Sequence, residues 1–567
     1  MDATGPIHQD DATTPCWLAL WLGVALFSLL ASLWIFFAPP LFDFDGYMYR
    51  LNGLAPAKNV NPAHLLWVPM QALFWRVFGW LHLRGTVPFQ IVGILITALA
   101  CAIQFRLLAR RREDLALAMI TAVFIATSPQ VWRVAPLNQP YPSLFLLEVL
   151  LLAAWQETPS TAPALVGVGL IVCLGALLHE AAVLWAGAVA SLIFFLSAGS
   201  AKQRLQRSCF WGLSVGATIL IAYAVAAVVL KLRSLKDVLA WVASYASEEH
   251  GLWQRGLENV VKCGFGFLGA LVQLDRPIEW IEARATTEQL LHRMAMAEGV
   301  FIFAVLLLAL RKRGRAWIAG CPWRQPLFLA SLSLGVSWAF FCLIWEPANS
   351  KFWAVSLFPL SLAAILACQS TPRWTRYAWM IVLSAAIVWN LCEDHAADLR
   401  NAARFPDPQL ARIRLAVRSQ DRFVVLQRAW EDQVDYDLLL ECLAFEGRTN
   451  ATALVEKYFA ARPSDWETIA EQEIDDVLKA GGRVFVSNLV FNPESYQNLS
   501  DEGPLSPYAI DAYKAIEGPA LYQRVERFFE PYDRRPSELQ LGNDRFWVIT
   551  SRKNPRQTAP IPAARFD

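Results

Sequence analysis

The feature that most constrains this chain is a series of about eleven apolar runs, most of them near the ~20 residues that cross the hydrocarbon core of a bilayer. They fall near 17–38, 88–108, 115–128, 142–156, 164–178, 181–197, 209–230, 294–310, 326–345, 352–368 and 377–392. In lipid such a run cannot leave its backbone N–H and C=O groups open to water, so each reads as a helix. The whole chain agrees: 56% of its 567 residues are hydrophobic, 17% are charged, and it carries 24 Trp and 33 Phe. That excludes an ordinary soluble enzyme. A formal net charge of +1 gives no whole-molecule attraction to nucleic acid, and none is expected as a partner.

Orientation follows from the basic loops. Arg106 with Arg110-Arg111-Arg112, then Lys202, Arg204 and Arg207, then Arg311-Lys312-Arg313 with Arg315, then Arg373 and Arg376 all fall on one side if the spans alternate. Excess Lys and Arg mark the cytoplasmic side. The opposite, outer face then holds the loops 39–87 and 231–293 and everything after about residue 393. The segment before the first span is acidic, and no small-residue cleavage site follows that span, so it reads as an uncleaved anchor. Ala, Arg and Trp usage suggests a bacterial inner membrane, with the outer face periplasmic.

Two stretches in the outer loops are apolar without being spans. Residues 61–80 are rich in Trp but interrupted by Pro69, Gln71 and Arg76, which fits a helix lying in the interface. Residues 256–274 read as interfacial or re-entrant. The ten cysteines are scattered, with no CxxC or Cys/His spacing for a metal or disulfide framework. After residue 392 the composition turns polar. Short buried strands at 422–426, 483–487 and 545–549, with helical segments at 431–446 and 466–480, define a soluble α/β domain over 393–567 behind a membrane domain over 1–392. Gly481-Gly482 reads as a turn, and no phosphate-binding glycine motif is present.

Where the first span leaves the membrane, the chain reads Asp43-Phe44-Asp45-Gly46-Tyr47-Met48-Tyr49. A carboxylate costs roughly 3 kcal/mol at mid-bilayer but little at the interface, where partial desolvation can raise it toward a working base. Two Asp at i and i+2 face the same way in an extended loop. One can act as base while the other orients it or binds a divalent ion such as Mg or Mn. A helix stop with a solvated Asp-x-Asp turn is the plain alternative. Tyr47 and Tyr49 can stack on a sugar ring or belong to the interfacial aromatic belt.

Further motifs follow in order: Asn61-Pro62, Phe78-Gly79, Arg84, Arg110-Arg111-Arg112, Ser128-Pro129 leading to Tyr141-Pro142, and Asn349-Ser350-Lys351-Phe352 followed by Pro359. With Asp45-Gly46-Tyr47 they resemble, over about residues 17–392, the GT-C class of membrane glycosyltransferases, in particular its protein O-mannosyltransferase and aminoarabinose-transferase branch. The resemblance implies a polytopic α-helical fold and inverting transfer of a sugar from a polyprenyl-phosphate donor to a lipid, glycan or protein acceptor outside the membrane. It makes Asp45 the preferred base with Asp43 in support, although many members carry Asp-Glu where this chain has Asp45-Gly46. It also gives Lys351 the lipid phosphate.

Other polar residues at outer ends are candidates for the same site. Glu346 and Asn349 share the short loop with Lys351, whose plain alternative is a lysine snorkelling to the interface. His179-Glu180 interrupts an apolar stretch and serves substrate or metal binding, or merely caps a turn. Arg84 and Arg133 can each reach a phosphate by bidentate contacts. His64 sits at a helix start with Asn61 as cap and Pro62 as first residue, on the same side as Asp45. From other classes, a lipid or polysaccharide transporter and an inactive scaffold would use the same head-group residues without breaking a glycosidic phosphate bond.

Overall fold

The computed structural model describes residues 15–37, 62–81, 87–109, 114–156, 161–248, 258–272, 322, 325–345, 347–369, 373–392, 413, 416–418, 420–425, 451–453, 466–496, 518–541 and 544–552. The span expected at 294–310, the helix expected at 431–446, and the basic runs 110–112 and 311–315 lie outside these residues. Two compact units divide the chain, the first ending at Ala403 and the second running from Arg404 to Asp567.

The first unit is helical: α1 (Cys16–Phe37), a 3-10 turn at Pro62–His64, α2 (Trp67–Trp80), α3 (Val87–Leu108), α4 (Leu115–Ala126), α5 (Pro129–Val134), α6 (Tyr141–Ala154), α7 (Ala162–Leu178), a 3-10 turn at Glu180–Ala182, α8 (Val183–Leu196), α9 (Ala201–Val229), α10 (Leu235–Glu248), α11 (Glu258–Leu271), α12 (Pro326–Ile344), α13 (Ser350–Gln369) and α14 (Arg373–Asn390). Five of them, α1, α3, α9, α12 and α13, are long and apolar enough to cross a membrane. The chain is an integral membrane protein by that measure. The spans expected over 115–128, 142–156, 164–178 and 181–197 are apolar helices of shorter length, and α14 is helical but not among the five.

Local chemistry sets several of the boundaries. Ser200 and Gln203 form a reciprocal capping box that starts α9 eight residues before the apolar run at 209. Thr161 accepts from the Ala164 N–H to open α7, and Asn349 Oδ1 accepts from the Lys351 N–H at 3.1 Å to open α13. Proline occupies the first turn of α5, α6, α7 and α12, where its missing N–H costs no helical bond.

At the centre of the bundle α13 packs against α12, α11, α6, α5, α4, α3 and α14. Its internal Pro359 interrupts the backbone ladder. Beside it, Gln104 of α3 donates to the Phe358 carbonyl at 3.0 Å and to Ser361 Oγ at 2.8 Å. At the far end of α13, Gln369 donates to the Leu108 carbonyl at 3.1 Å, and Arg376 of α14 pairs with buried Asp114 before α4 at 3.0 Å. Helix ends carrying basic residues therefore meet at one end of the bundle. With 20 residues in α13, its first turn lies roughly 30 Å away at ~1.5 Å per residue.

The second unit holds a five-stranded sheet in the order β2-β1-β3-β5-β4, from β1 (Arg422–Val425), β2 (Ala451–Ala453), β3 (Val484–Ser487), β4 (Tyr532–Leu541) and β5 (Asp544–Arg552), with α15 (Trp466–Lys479) and α16 (Gly518–Phe529). β1, β2 and β3 are parallel, and β5 runs antiparallel between β3 and β4. Alternation sorts the side chains. Val484, Val486 and Ile549 pack with Ala470, Ile474, Val525 and Phe529, while on the other face Phe423 stacks on Phe485 and meets Phe546 edge-on. Gly481, at φ 75°, makes the turn expected before β3.

Candidate functional site

At the end of the bundle opposite the basic residues, several expected site residues come together. The segment entering α2 is tied to the end of α7: Leu66 N–H donates to the Leu177 carbonyl at 2.7 Å, and His64 Nδ1 lies 3.0 Å from the Leu178 carbonyl. A carbonyl only accepts, so His64 carries its proton on Nδ1. This docks His64 against the turn between α7 and α8, where its ring meets that of His179 edge-on with centroids 4.9 Å apart.

His179 is bonded in the opposite sense. The Ala181 N–H donates to its Nδ1 at 3.2 Å, so that nitrogen keeps its lone pair and the ring proton sits on Nε2. The side chain caps the 3-10 turn, as its plain alternative expected. Around the imidazole stand Tyr141 at 5.8 Å from α6, and Trp338 at 5.6 Å and Phe341 at 5.8 Å from α12. Trp338 in turn donates from Nε1 to the Phe352 carbonyl at 2.8 Å, locking α12 to the start of α13.

Lys351 enters from α13. Its Nζ lies 5.7 Å from the centroid of the Tyr141 ring, within cation–π range, and Tyr141 also contacts Phe352 at 6.3 Å. One tyrosine ring thus stands beside an ammonium and an imidazole. Asn349 serves Lys351 through the backbone cap at the start of α13, and Glu180 adjoins His179 in the 3-10 turn. Arg133 is half-buried on α5, which packs against α11 and α13. Asp43, Asp45, Tyr47, Tyr49, Arg84 and Glu346 lie outside the described residues.

Two supports of this end were not read from the sequence. Gln71 of α2 accepts from Asn138 Nδ2 at 2.8 Å, a buried amide pair that fixes α2 against the loop before α6. The stretch expected at 256–274 forms α11, which packs on the α12–α13 turn: a Cβ on Gly266 would overlap the Pro347 carbonyl oxygen and the Trp353 indole. Trp353 itself donates to that carbonyl at 3.0 Å. Trp338 and Phe341 were missed because nothing in an apolar helix marks which aromatic faces a polar neighbour. Among the described residues no group of three His, Cys, Asp or Glu is placed to hold a metal.

Fold and site together describe an integral membrane protein with a polar, aromatic-walled candidate site at one end of its helical bundle, and a separate α/β unit later in the chain. Among solved structures, it is similar to the Archaeoglobus fulgidus oligosaccharyltransferase tethered with an acceptor peptide (TM-score 0.42, 12% identity, over 88% of this chain and 72% of that one). It is also similar to ArnT from Cupriavidus metallidurans bound to undecaprenyl phosphate (TM-score 0.36, 10% identity, over 94% and 98%). At such TM-scores and identities these likenesses bear on neither substrate nor mechanism. No protein-family model and no curated protein matches the chain.

Proposed function

We propose that the membrane unit is an inverting glycosyltransferase that moves a sugar from a polyprenyl-phosphate carrier to a lipid, glycan or protein acceptor at the outer, periplasmic face of a bacterial inner membrane. The observation that carries this reading is the convergence of Lys351, Tyr141, His179 and His64 at the end of the bundle away from the basic helix ends. A cation at the membrane boundary beside aromatic rings and neutral polar groups is what a lipid-borne phosphosugar requires.

In this reading Lys351 holds the donor phosphate and stabilises it as it departs, with Arg84 and Arg133 as further cations within the same class of contact. Asp45 takes the proton from the acceptor hydroxyl. Asp43 orients it or, as one of a carboxylate pair, holds a divalent cation such as Mg or Mn; loss of transfer on EDTA treatment, restored by either ion, separates the two roles. Tyr47 and Tyr49 follow Asp45 closely enough to stack on the sugar, and Glu346 and Asn349 border the phosphate. The α/β unit helps select the acceptor. Asp45→Asn is expected to abolish transfer in a protein that still inserts and folds. Full activity in both Asp43→Asn and Asp45→Asn would overturn the assignment.

A transporter of the same lipids is the second reading. One observation favours it: Glu148 lies in the middle of α6 with 0% exposure, and an ionisable group inside a membrane bundle often marks a transport pathway.

A further inference from the structure

The imidazole of His179 does more chemistry than its capping bond uses. Its Nδ1 accepts from the Ala181 N–H, which fixes the ring as the uncharged Nε2–H form, since a doubly protonated ring has no lone pair to offer. The residue is only 5% exposed, and the hydrogen bond its side chain makes among the described residues runs through Nδ1, leaving Nε2–H as the nitrogen that can donate to a ligand. The walls around it are rings: His64, Tyr141, Trp338 and Phe341.

The position of Lys351 separates two kinds of recognition. Its ammonium lies over the Tyr141 ring, while His179 meets the same ring from the polar turn between α7 and α8. A phosphate goes to the cation. A neutral donor among aromatic faces suits hydroxyl oxygens and the apolar C–H face of a sugar.

We propose that His179 is a binding residue for the sugar of the donor, donating from uncharged Nε2–H to a sugar oxygen on the aromatic side of Tyr141, while Lys351 holds the phosphate. This rests on the glycosyltransferase reading and specifies how its site divides between the two halves of the donor.

Asparagine provides the discriminating variant, because it keeps the cap on the 3-10 turn and removes the ring donor. Cells lacking the protein are complemented with wild type, His179→Asn or Lys351→Gln, and polyprenyl-phosphate sugars are quantified by mass spectrometry. The purified full chains are then titrated with undecaprenyl phosphate, which has no sugar. His179→Asn is expected to melt with the wild type, to bind undecaprenyl phosphate within about twofold of it, and yet to leave the sugar-bearing lipid uncleared, a loss on the order of 10–100-fold for one hydrogen bond in the reacting complex. Lys351→Gln is expected to lose undecaprenyl phosphate binding. Normal clearance by His179→Asn would show that the imidazole is only a cap, and loss of undecaprenyl phosphate binding equal to that of Lys351→Gln would put it in the phosphate site. Either result overturns the proposal alone. A wild type that clears no lipid-linked sugar and binds no undecaprenyl phosphate overturns the glycosyltransferase reading, and the proposal with it.

Discussion

Single side chains in this protein gain their meaning from what fixes them. Lys351 has its backbone N–H bonded to Asn349 and its ammonium over Tyr141, a placement open to both a phosphate-binding and a snorkelling lysine. Removing the charge is expected to weaken binding of undecaprenyl phosphate about tenfold or more, since hydrogen bonds to charged groups contribute ~1.5–3 kcal/mol; isothermal titration of Lys351→Gln against wild type measures it, and unchanged affinity would return Lys351 to the snorkelling class. In the α/β unit, Asp421 plays a structural part. Burial pushes its carboxyl up, but bonds from the Arg483 guanidinium and from the backbone N–H groups of Arg418 and Arg483 outweigh this and leave it below the ordinary carboxylate value. A lowered folded-state value stabilises the unit above the unfolded pKa of ~3.9, and that contribution fades as pH falls through the folded value. Hydrogen exchange at β1 and β3 in the full chain should therefore accelerate below about pH 4 in wild type. Arg483→Ala should show fast exchange already at neutral pH, because it leaves a buried charge without its partner at a cost of ~3 kcal/mol. An acid response unchanged by the substitution would refute this role.

At the scale of elements, what the sequence disclosed followed from which signals are local. The apolar runs are continuous, so α1, α3, α12 and α13 were legible to within two residues, and Gly481 announced its own turn. α9 was read eight residues short because its start is set by a capping box in a charged stretch rather than by hydropathy. α10 went unread for a related reason: it is amphipathic and polar, and Ser234 and Asp237 open it through reciprocal side-chain bonds. β4 carries Asp, two Arg, Pro and Glu, as suits an edge strand, and so shows no apolar alternation. In the site, Lys351, His64 and His179 could be named because polar residues at span ends stand out, whereas Trp338 and the Gln71–Asn138 pair required the packing itself.

Two elements carry predictions of their own. Gly266→Ala on α11 presses a methyl group into the Pro347 carbonyl and Trp353, which must displace the turn that carries Lys351. A fall in donor affinity of at least about tenfold is expected, in keeping with small misplacements costing ~100-fold near a reacting centre, while wild-type affinity would show that α11 yields instead. Glu148 on α6 has both carboxyl oxygens buried without hydrogen-bond partners among the described residues. A charge inside a span costs roughly 3 kcal/mol. Glu148→Gln keeps the shape, and under the glycosyltransferase reading it should leave transfer within about twofold and the melting temperature equal or higher. Abolition of function by this substitution, with folding intact, would favour the transporter.

Over the whole molecule, the decisive relation is between two ends of one bundle. Asp114 with Arg376 and Leu108 with Gln369 mark the basic end, and His64, Tyr141, His179 and Lys351 mark the other. In the proposed reading, that separation keeps the orienting charges on one side of a membrane and the lipid-phosphate site on the other. The central claim is that this site breaks a sugar–phosphate bond on a polyprenyl carrier. The most direct measurement is mass spectrometry of polyprenyl-phosphate sugars extracted from cells lacking the protein, complemented with wild type or with Asp45→Asn. One lipid-linked sugar should accumulate and be cleared only by the wild type. No change in any such lipid, with both versions well expressed, would contradict the assignment.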